Sequence, residues 1–279
     1  MSSEITDRRG YELPDTYCRL QELWRGHYDH FNELLKQFLL HSYQETEDRL
    51  ELLEVGAGAR SVLLRGLEET QSESSCPQAI QVHFVDPEPL GQIQPACLGN
   101  STLVADCQAG AKGHFKSISD DREMSWRFTQ EDFFTFLERE ERYHLILLHG
   151  VLHEIHLHSG SGPEEFFPDF FRRLASLLEP GGRVLISDTY YPLYFSREQV
   201  IEMIEWQREL THHADPPEAF VHPERIVELL LSNPDVSALY EILLEEQGRY
   251  RARLSGSSRA RKFYTLGLQL ETASQLHPR

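Results

Sequence analysis

Apolar residues recur at mixed three- and four-residue spacings from about Tyr17 to His41, among them Leu20, Leu23, Trp24, Tyr28, Phe31, Leu34, Leu35, Phe38 and Leu39. That spacing predicts one or two amphipathic helices ahead of the main body. The pattern then changes. RLELLEV is a short apolar run that carries Glu54 into a glycine turn, SVLLRGLEET continues as a helix, and IQVHFVD alternates Ile80, Val82 and Phe84 before ending at Asp86. Residues 87–123, interrupted by Pro87, Pro89, Pro95 and several glycines, predict a loop-rich insertion with one short helix near Leu103. The alternation then resumes, with SWRFTQ a short strand, EDFFTFLEREE a short helix, YHLILLHG a buried strand, PEEFFPDFFRRLASLLEP a helix closed by Pro180 and GGRVLISD a further strand. Past Asp188, FSREQVIEMIEWQRELTHH and the Pro-started PPEAFVHPERIVELLLSNP read as helices, and SALYEILLEEQ with ARKFYTLGLQLE as an antiparallel pair at the sheet edge. Strands alternating with helices predict a mostly parallel sheet covered on both faces.

Composition narrows the class of protein. At 279 residues with 40% apolar content, the chain can build one α/β core with an appended cap or a small second domain, and disorder throughout is not expected. The 27 Lys and Arg against 45 Asp and Glu leave a net charge of −18, which repels a phosphate backbone or an anionic bilayer, so neither nucleic acid nor a membrane is expected as a partner. Cys18, Cys76, Cys97 and Cys107 form no CxxC pair, which argues against a disulfide framework or a cysteine-built zinc site and fits a reducing compartment. The first residues lack the apolar stretch of a signal peptide, and no apolar run reaches the roughly 18 residues that a bilayer requires. A cytoplasmic protein is the expectation.

Candidate chemistry gathers behind the glycine turn. Gly56 and Gly58 in EVGAGAR lie between a strand and a helix, where small residues let a ligand approach the backbone and the helix N-terminus offers unpaired N–H donors. Glu54 stands within that motif, Asp86 at the end of the second strand, and Glu131 or Asp132 after the third. A carboxylate at a strand end can accept both hydroxyls of a ribose, and another can accept from an exocyclic adenine amine. Nothing in the turn matches GxxxxGK[ST], which disfavours a phosphate-cradling hydrolase.

With YHLILLHGVLHEI and LLEPGGRVLISD in the same order, these segments resemble the class I S-adenosylmethionine-dependent methyltransferases over roughly residues 45–190, and more loosely over 238–272. The resemblance implies a Rossmann-like three-layer α/β sandwich with a mostly parallel seven-stranded sheet and a C-terminal antiparallel hairpin. It implies S-adenosyl-L-methionine as cofactor and S-adenosyl-L-homocysteine as product. Glu54, Gly56 and Gly58 would flank the methionine part, Asp86 the ribose, and Asp132, with Glu131 as the neighbouring alternative, the adenine beside Gln130. His149 occupies the position where an Asp or Asn is common and is a further polar contact to the cofactor amine or the acceptor. The expected organisation is an N-terminal helical cap over 1–48 and a catalytic domain over 49–272, with the insertion at 87–123 and a helical substrate cover at 189–235.

HGVLHEIHLHSGSGPEE sets His149, His153, His156 and His158 around Glu154. HEIHL is not HExxH, because position 157 is Leu, and no resident metal is expected. His153 or His156 can serve as the general base toward an acceptor hydroxyl or amine, or simply pack. Tyr190, Tyr191, Tyr194, Trp206 and His213 fall in the segment that would cover the acceptor. The expected activity is methyl transfer to an oxygen or nitrogen of a small molecule. A non-catalytic adenosyl-ligand or partner-binding module on the same scaffold is the alternative, and the glycine spacing sets aside an NAD-dependent oxidoreductase.

Overall fold

The computed structural model describes residues 23–46, 49–56, 61–70, 73, 75–87, 112–116, 123–211, 215–251 and 259–271. Eight strands form one sheet: β1 (Arg49–Val55), β2 (Ala79–Asp86), β3 (Lys112–Lys116), β4 (Glu123–Gln130), β5 (Tyr143–His149), β6 (Leu178–Tyr190), β7 (Tyr240–Arg251) and β8 (Ala260–Leu270). Their order is β3-β4-β2-β1-β5-β6-β8-β7. β4, β2, β1, β5 and β6 run parallel, while β8 is antiparallel to both β6 and β7. The seven expected strands are joined by β3, which pairs antiparallel with β4 at the far edge. It lies inside the segment whose prolines and glycines predicted loop; the helix expected near Leu103 lies outside the described residues.

Alternation along the strands sorts the core onto two faces. On one face Leu50 and Leu52 of β1, Val82 of β2, Trp126 of β4 and Leu145 and Leu147 of β5 pack under α1 (Arg25–Glu45) and α2 (Val62–Thr70). On the other, Leu53, Ile146, Leu148, Val184 and Ile186 meet α3 (Phe133–Phe136), α4 (Leu152–Ser159), α5 (Pro163–Ser176), α7 (Pro223–Ser232) and α8 (Pro234–Ser237). The phenylalanines of α5 at 166, 167, 170 and 171 repeat at four-residue intervals, and that stripe is buried throughout.

The first helix is a layer of the sandwich: Phe31, Leu35 and Leu39 are fully buried against α2 and the sheet. Two predicted helices are shorter than their apolar patterns. EDFFTFLEREE keeps only α3, started by Asp132, whose side chain accepts from the Thr135 N–H. The long Pro-started segment after α6 (Arg197–Thr211) breaks into a 3₁₀ turn, Pro217–Ala219, and α7. Pro217 and Pro223 hold the residues before them extended, so Pro216 and His222 interrupt the helix instead of continuing it.

Candidate functional site

β1 lies between β2 and β5, so the strand order reverses there and the C-terminal strand ends splay around a crevice. A cavity of about 590 Å³ occupies it, lined by Val55, Gly56, Val85, Asp86, the run Gln130–Phe134, Val151, Glu154 and His158 among others. Gly56 has φ +65°, and a Cβ built there would stand 2.6 Å from Val151 Cγ2, so the turn both needs the left-handed conformation and leaves no room for a side chain. Asp86 is buried at the cavity wall. Glu131 is held by Arg139, whose Nε and Nη2 approach one carboxylate oxygen at 3.1 and 2.9 Å. Asp132 accepts from the Thr135 N–H at 3.0 Å and hydroxyl at 2.6 Å, which lowers its carboxyl; its carboxylate is spent on starting α3. Gln130 donates to the Pro87 carbonyl at 3.3 Å.

Glu54 faces the α2 side, by the parity it shares with Leu50 and Leu52, and lines neither cavity. Its carboxylate accepts from the Val62 N–H at 2.9 Å and from the Ser61 hydroxyl, while Ser61 Oγ accepts from the Leu64 N–H at 3.0 Å. The acid expected beside the methionine group therefore holds the first turn of α2. Burial, against those hydrogen bonds, pushes Glu54 up to about 7.

A second cavity, of about 90 Å³, opens beside the first, and Glu154 lines both. Its walls bring together distant parts of the chain: Trp24, His27 and Tyr28 at the start of α1, His149 and His153, Ser187 to Thr189 at the end of β6, Gln207, Asp215, Arg261 and Phe263. Asp188, alternating with Ser187, points toward α4 and accepts from the His153 backbone N–H at 2.9 Å and from Nδ1 at 2.8 Å. The other ring nitrogen, Nε2, lies 3.3 Å from Asp215 Oδ2, and the ring stacks on Phe220 at 4.7 Å. Burial disfavours the charged ring, but Asp188 and then Asp215 outweigh it and raise His153 to about 10. With a carboxylate at each nitrogen, His153 can donate to two acids at once, and its Nε2 lone pair becomes available only when the proton directed at Asp215 is displaced. His153, Glu154 and Asp215 each bring a ligand-type atom within 4.8 Å of the others.

Several expected site residues stand elsewhere. His149 shares the parity of Leu145 and Leu147, so it turns toward α1, stacks on His27 at 5.5 Å and touches Phe31 at 4.5 Å; burial lowers it to about 4. It lines the smaller cavity and not the larger. His156 lines neither: it is buried between Phe166 and Phe167, with Nδ1 3.2 Å from the Ala219 carbonyl, because one helical turn carries it toward α5. Tyr190 is buried and donates to Gln247 at 2.6 Å, Tyr191 packs edge-on against Phe220, and Tyr194 is 71% exposed. Trp206 meets Trp24 edge-on at 6.0 Å, one residue behind the small cavity. Gly58 and His213 lie outside the described residues. The contributions of His27, Tyr28, Gln207 and Arg261 were not foreseen; Asp188 carried the one usable signal, an acid closing a strand as Asp86 does.

No protein-family model matches the chain, and no curated protein matches it in sequence. Solved structures share its fold. A possible exported protein from Bordetella parapertussis is similar with a TM-score of 0.54 at 16% identity, over 89% of this chain and 68% of that one. Loganic acid methyltransferase with SAH is similar with a TM-score of 0.52 at 9% identity, over 94% of this chain and 96% of that one. The architecture they share is a Rossmann-like three-layer α/β sandwich with a mostly parallel sheet and an antiparallel C-terminal hairpin. Among the described residues, no helix is long and apolar enough to cross a membrane.

Proposed function

We propose that this protein transfers a methyl group from S-adenosylmethionine to an oxygen or nitrogen of a small-molecule acceptor. The observation that carries the reading is the pair of adjoining cavities at the strand-order reversal, a large one walled by strand-end acids and a small one walled by aromatic rings, with Glu154 on both. The larger cavity falls within the roughly 300–1,000 Å³ of small-molecule and cofactor sites. Gly56 lines the larger cavity, so a ligand there would meet its backbone and no side chain.

Asp86 would accept from the ribose hydroxyls, the Gln130–Asp132 run would border the adenine, and the Gly56 turn would flank the methionine end. When bound, the sulfonium supplies an already activated methyl group. The chain's own work is then to align the acceptor, exclude water and hold protons where they are needed. Trp24, Tyr28 and Phe263 narrow the small cavity toward a compact acceptor, and Glu154 stands where the two cavities join.

Calorimetric titration with S-adenosylmethionine, S-adenosylhomocysteine and NAD tests the cofactor. Saturable binding of the adenosyl ligands without NAD is expected, and Asp86→Ala should weaken it by about 1.5–3 kcal/mol through lost ribose hydrogen bonds. Unchanged affinity in a variant that keeps its circular dichroism would remove Asp86 from the site. Binding without turnover over a panel of phenols, amines and carboxylic acids would instead support a non-catalytic binding module.

A further inference from the structure

We propose that His153, Glu154 and Asp215 form a binding site for one divalent transition-metal ion, zinc in the first instance. The site lies where the two cavities meet. It draws on neighbours in α4 and on Asp215, some sixty residues later in the chain. Among the described residues no other three histidine, cysteine or acidic side chains bring one ligand atom each within 4.8 Å of one another.

Three geometric features favour an ion over a simple polar cluster. The first is spacing: His153 Nε2 and Asp215 Oδ2 stand 3.3 Å apart, close to the edge of a tetrahedron with metal–ligand bonds of about 2.0–2.1 Å, roughly 3.4 Å. The second is outer support. Asp188, outside the three, accepts from Nδ1–H at 2.8 Å and is itself fixed by the backbone N–H groups of His153 and Thr189 at 2.9 and 2.7 Å. A carboxylate on the far nitrogen sets the tautomer and aims the near one, as in metal-bound histidines generally. Stacking of the ring on Phe220 holds the same orientation. The third is access: all three residues line the small cavity, so an ion held by three ligands keeps its remaining positions toward it. His149, whose buried Nε2 has no hydrogen-bond partner among the described residues, lines that cavity too. One imidazole and two carboxylates are donors suited to Zn²⁺ or Mn²⁺ and poorly suited to Cu⁺. Open positions would present an acceptor oxygen to the junction between the cavities.

The test is made on full-length protein without a histidine tag, dialysed against a chelator and titrated calorimetrically with Zn²⁺, then with Co²⁺ so that the visible spectrum reports coordination. One ion per chain is expected, with X-ray absorption showing a single imidazole among oxygen donors. His153→Ala should abolish saturable binding, while Glu154→Gln and Asp215→Asn, which preserve shape, should each weaken it at least about tenfold. Asp188→Asn should cost about 10–100-fold through the far side of the ring, with stoichiometry unchanged. His30→Ala, on α1 at an exposed pair with Glu246 of β7, should leave affinity as it is. Absence of saturable binding below about 100 µM, or binding that survives Asp215→Asn and Glu154→Gln at full strength, overturns the proposal. Titration of the same preparation with S-adenosylhomocysteine is scored separately, so failure of the metal site and failure of the cofactor reading are distinguishable.

Discussion

Glu54 shows how a residue type can be legible while its direction is not. EVGAGAR marks an acid at a strand end, but the period of two places that side chain on the face of Leu50 and Leu52, where α2 begins. There it is buried and raised from 4.5 to about 7. An acid whose folded pKa exceeds its unfolded value stabilises the protein fully below about 4.5 and loses that contribution as pH rises through 7. Glu54→Gln keeps an oxygen for the Val62 N–H and has no charge to bury. The variant should match wild type near pH 4.5 and be more stable at pH 8, by about 3 kcal/mol. Urea melts at the two pH values measure the difference, and parallel stability profiles would show that Glu54 stays ionised in the fold. The same parity argument, applied to Leu145 and Leu147, would have turned His149 toward α1 from sequence alone. No such rule reaches His153, because its partners Asp188 and Asp215 come from other elements.

Strands with strong period-two or fully apolar patterns were readable at the level of elements, and so were the glycine turn and the hairpin of β7 and β8. The pieces that were misread depend on neighbours: β3 is a strand because β4 offers it an open edge, and α3 stops after one turn despite a longer apolar pattern. The turn after β1 allows a sharper expectation. Gly56→Ala must place a Cβ at φ +65° and 2.6 Å from Val151 Cγ2, two separable costs. The left-handed backbone accounts for about 1–2 kcal/mol, and the clash adds to it unless Val151 withdraws. Chemical denaturation of Gly56→Ala, Val151→Ala and the double variant isolates the contact. The double variant should recover the clash and retain the backbone cost, giving a favourable coupling between the two positions. Additive losses would mean that Val151 already moves freely, and that the turn is shaped by backbone strain alone.

For the whole molecule, the consequence of α1 lying within the sandwich is that core and site share one support. Phe31, Leu35 and Leu39 are buried beneath it, while Trp24, His27 and Tyr28 at its start line the small cavity. A detachable cap would melt before the sheet; a layer of the core melts with it. The three tryptophans permit the distinction, because Trp24 and Trp206 pack together beside the cavity and Trp126 sits in β4 under α2. A Trp126→Phe variant reports by fluorescence on the α1 end, and a Trp24→Phe, Trp206→Phe variant reports on the sheet. Each should give one transition that coincides with its own far-ultraviolet circular dichroism melt. Leu35→Ala should lower both together, by about 2–5 kcal/mol. S-adenosylhomocysteine at about 100 times its Kd should add about 2.7 kcal/mol. For a domain of this size that is a rise of about 5–10 °C in Tm, seen equally by both reporters. An early fluorescence transition at the α1 end, insensitive to the ligand, would separate that helix from the cooperative unit and return it to the role of a cap.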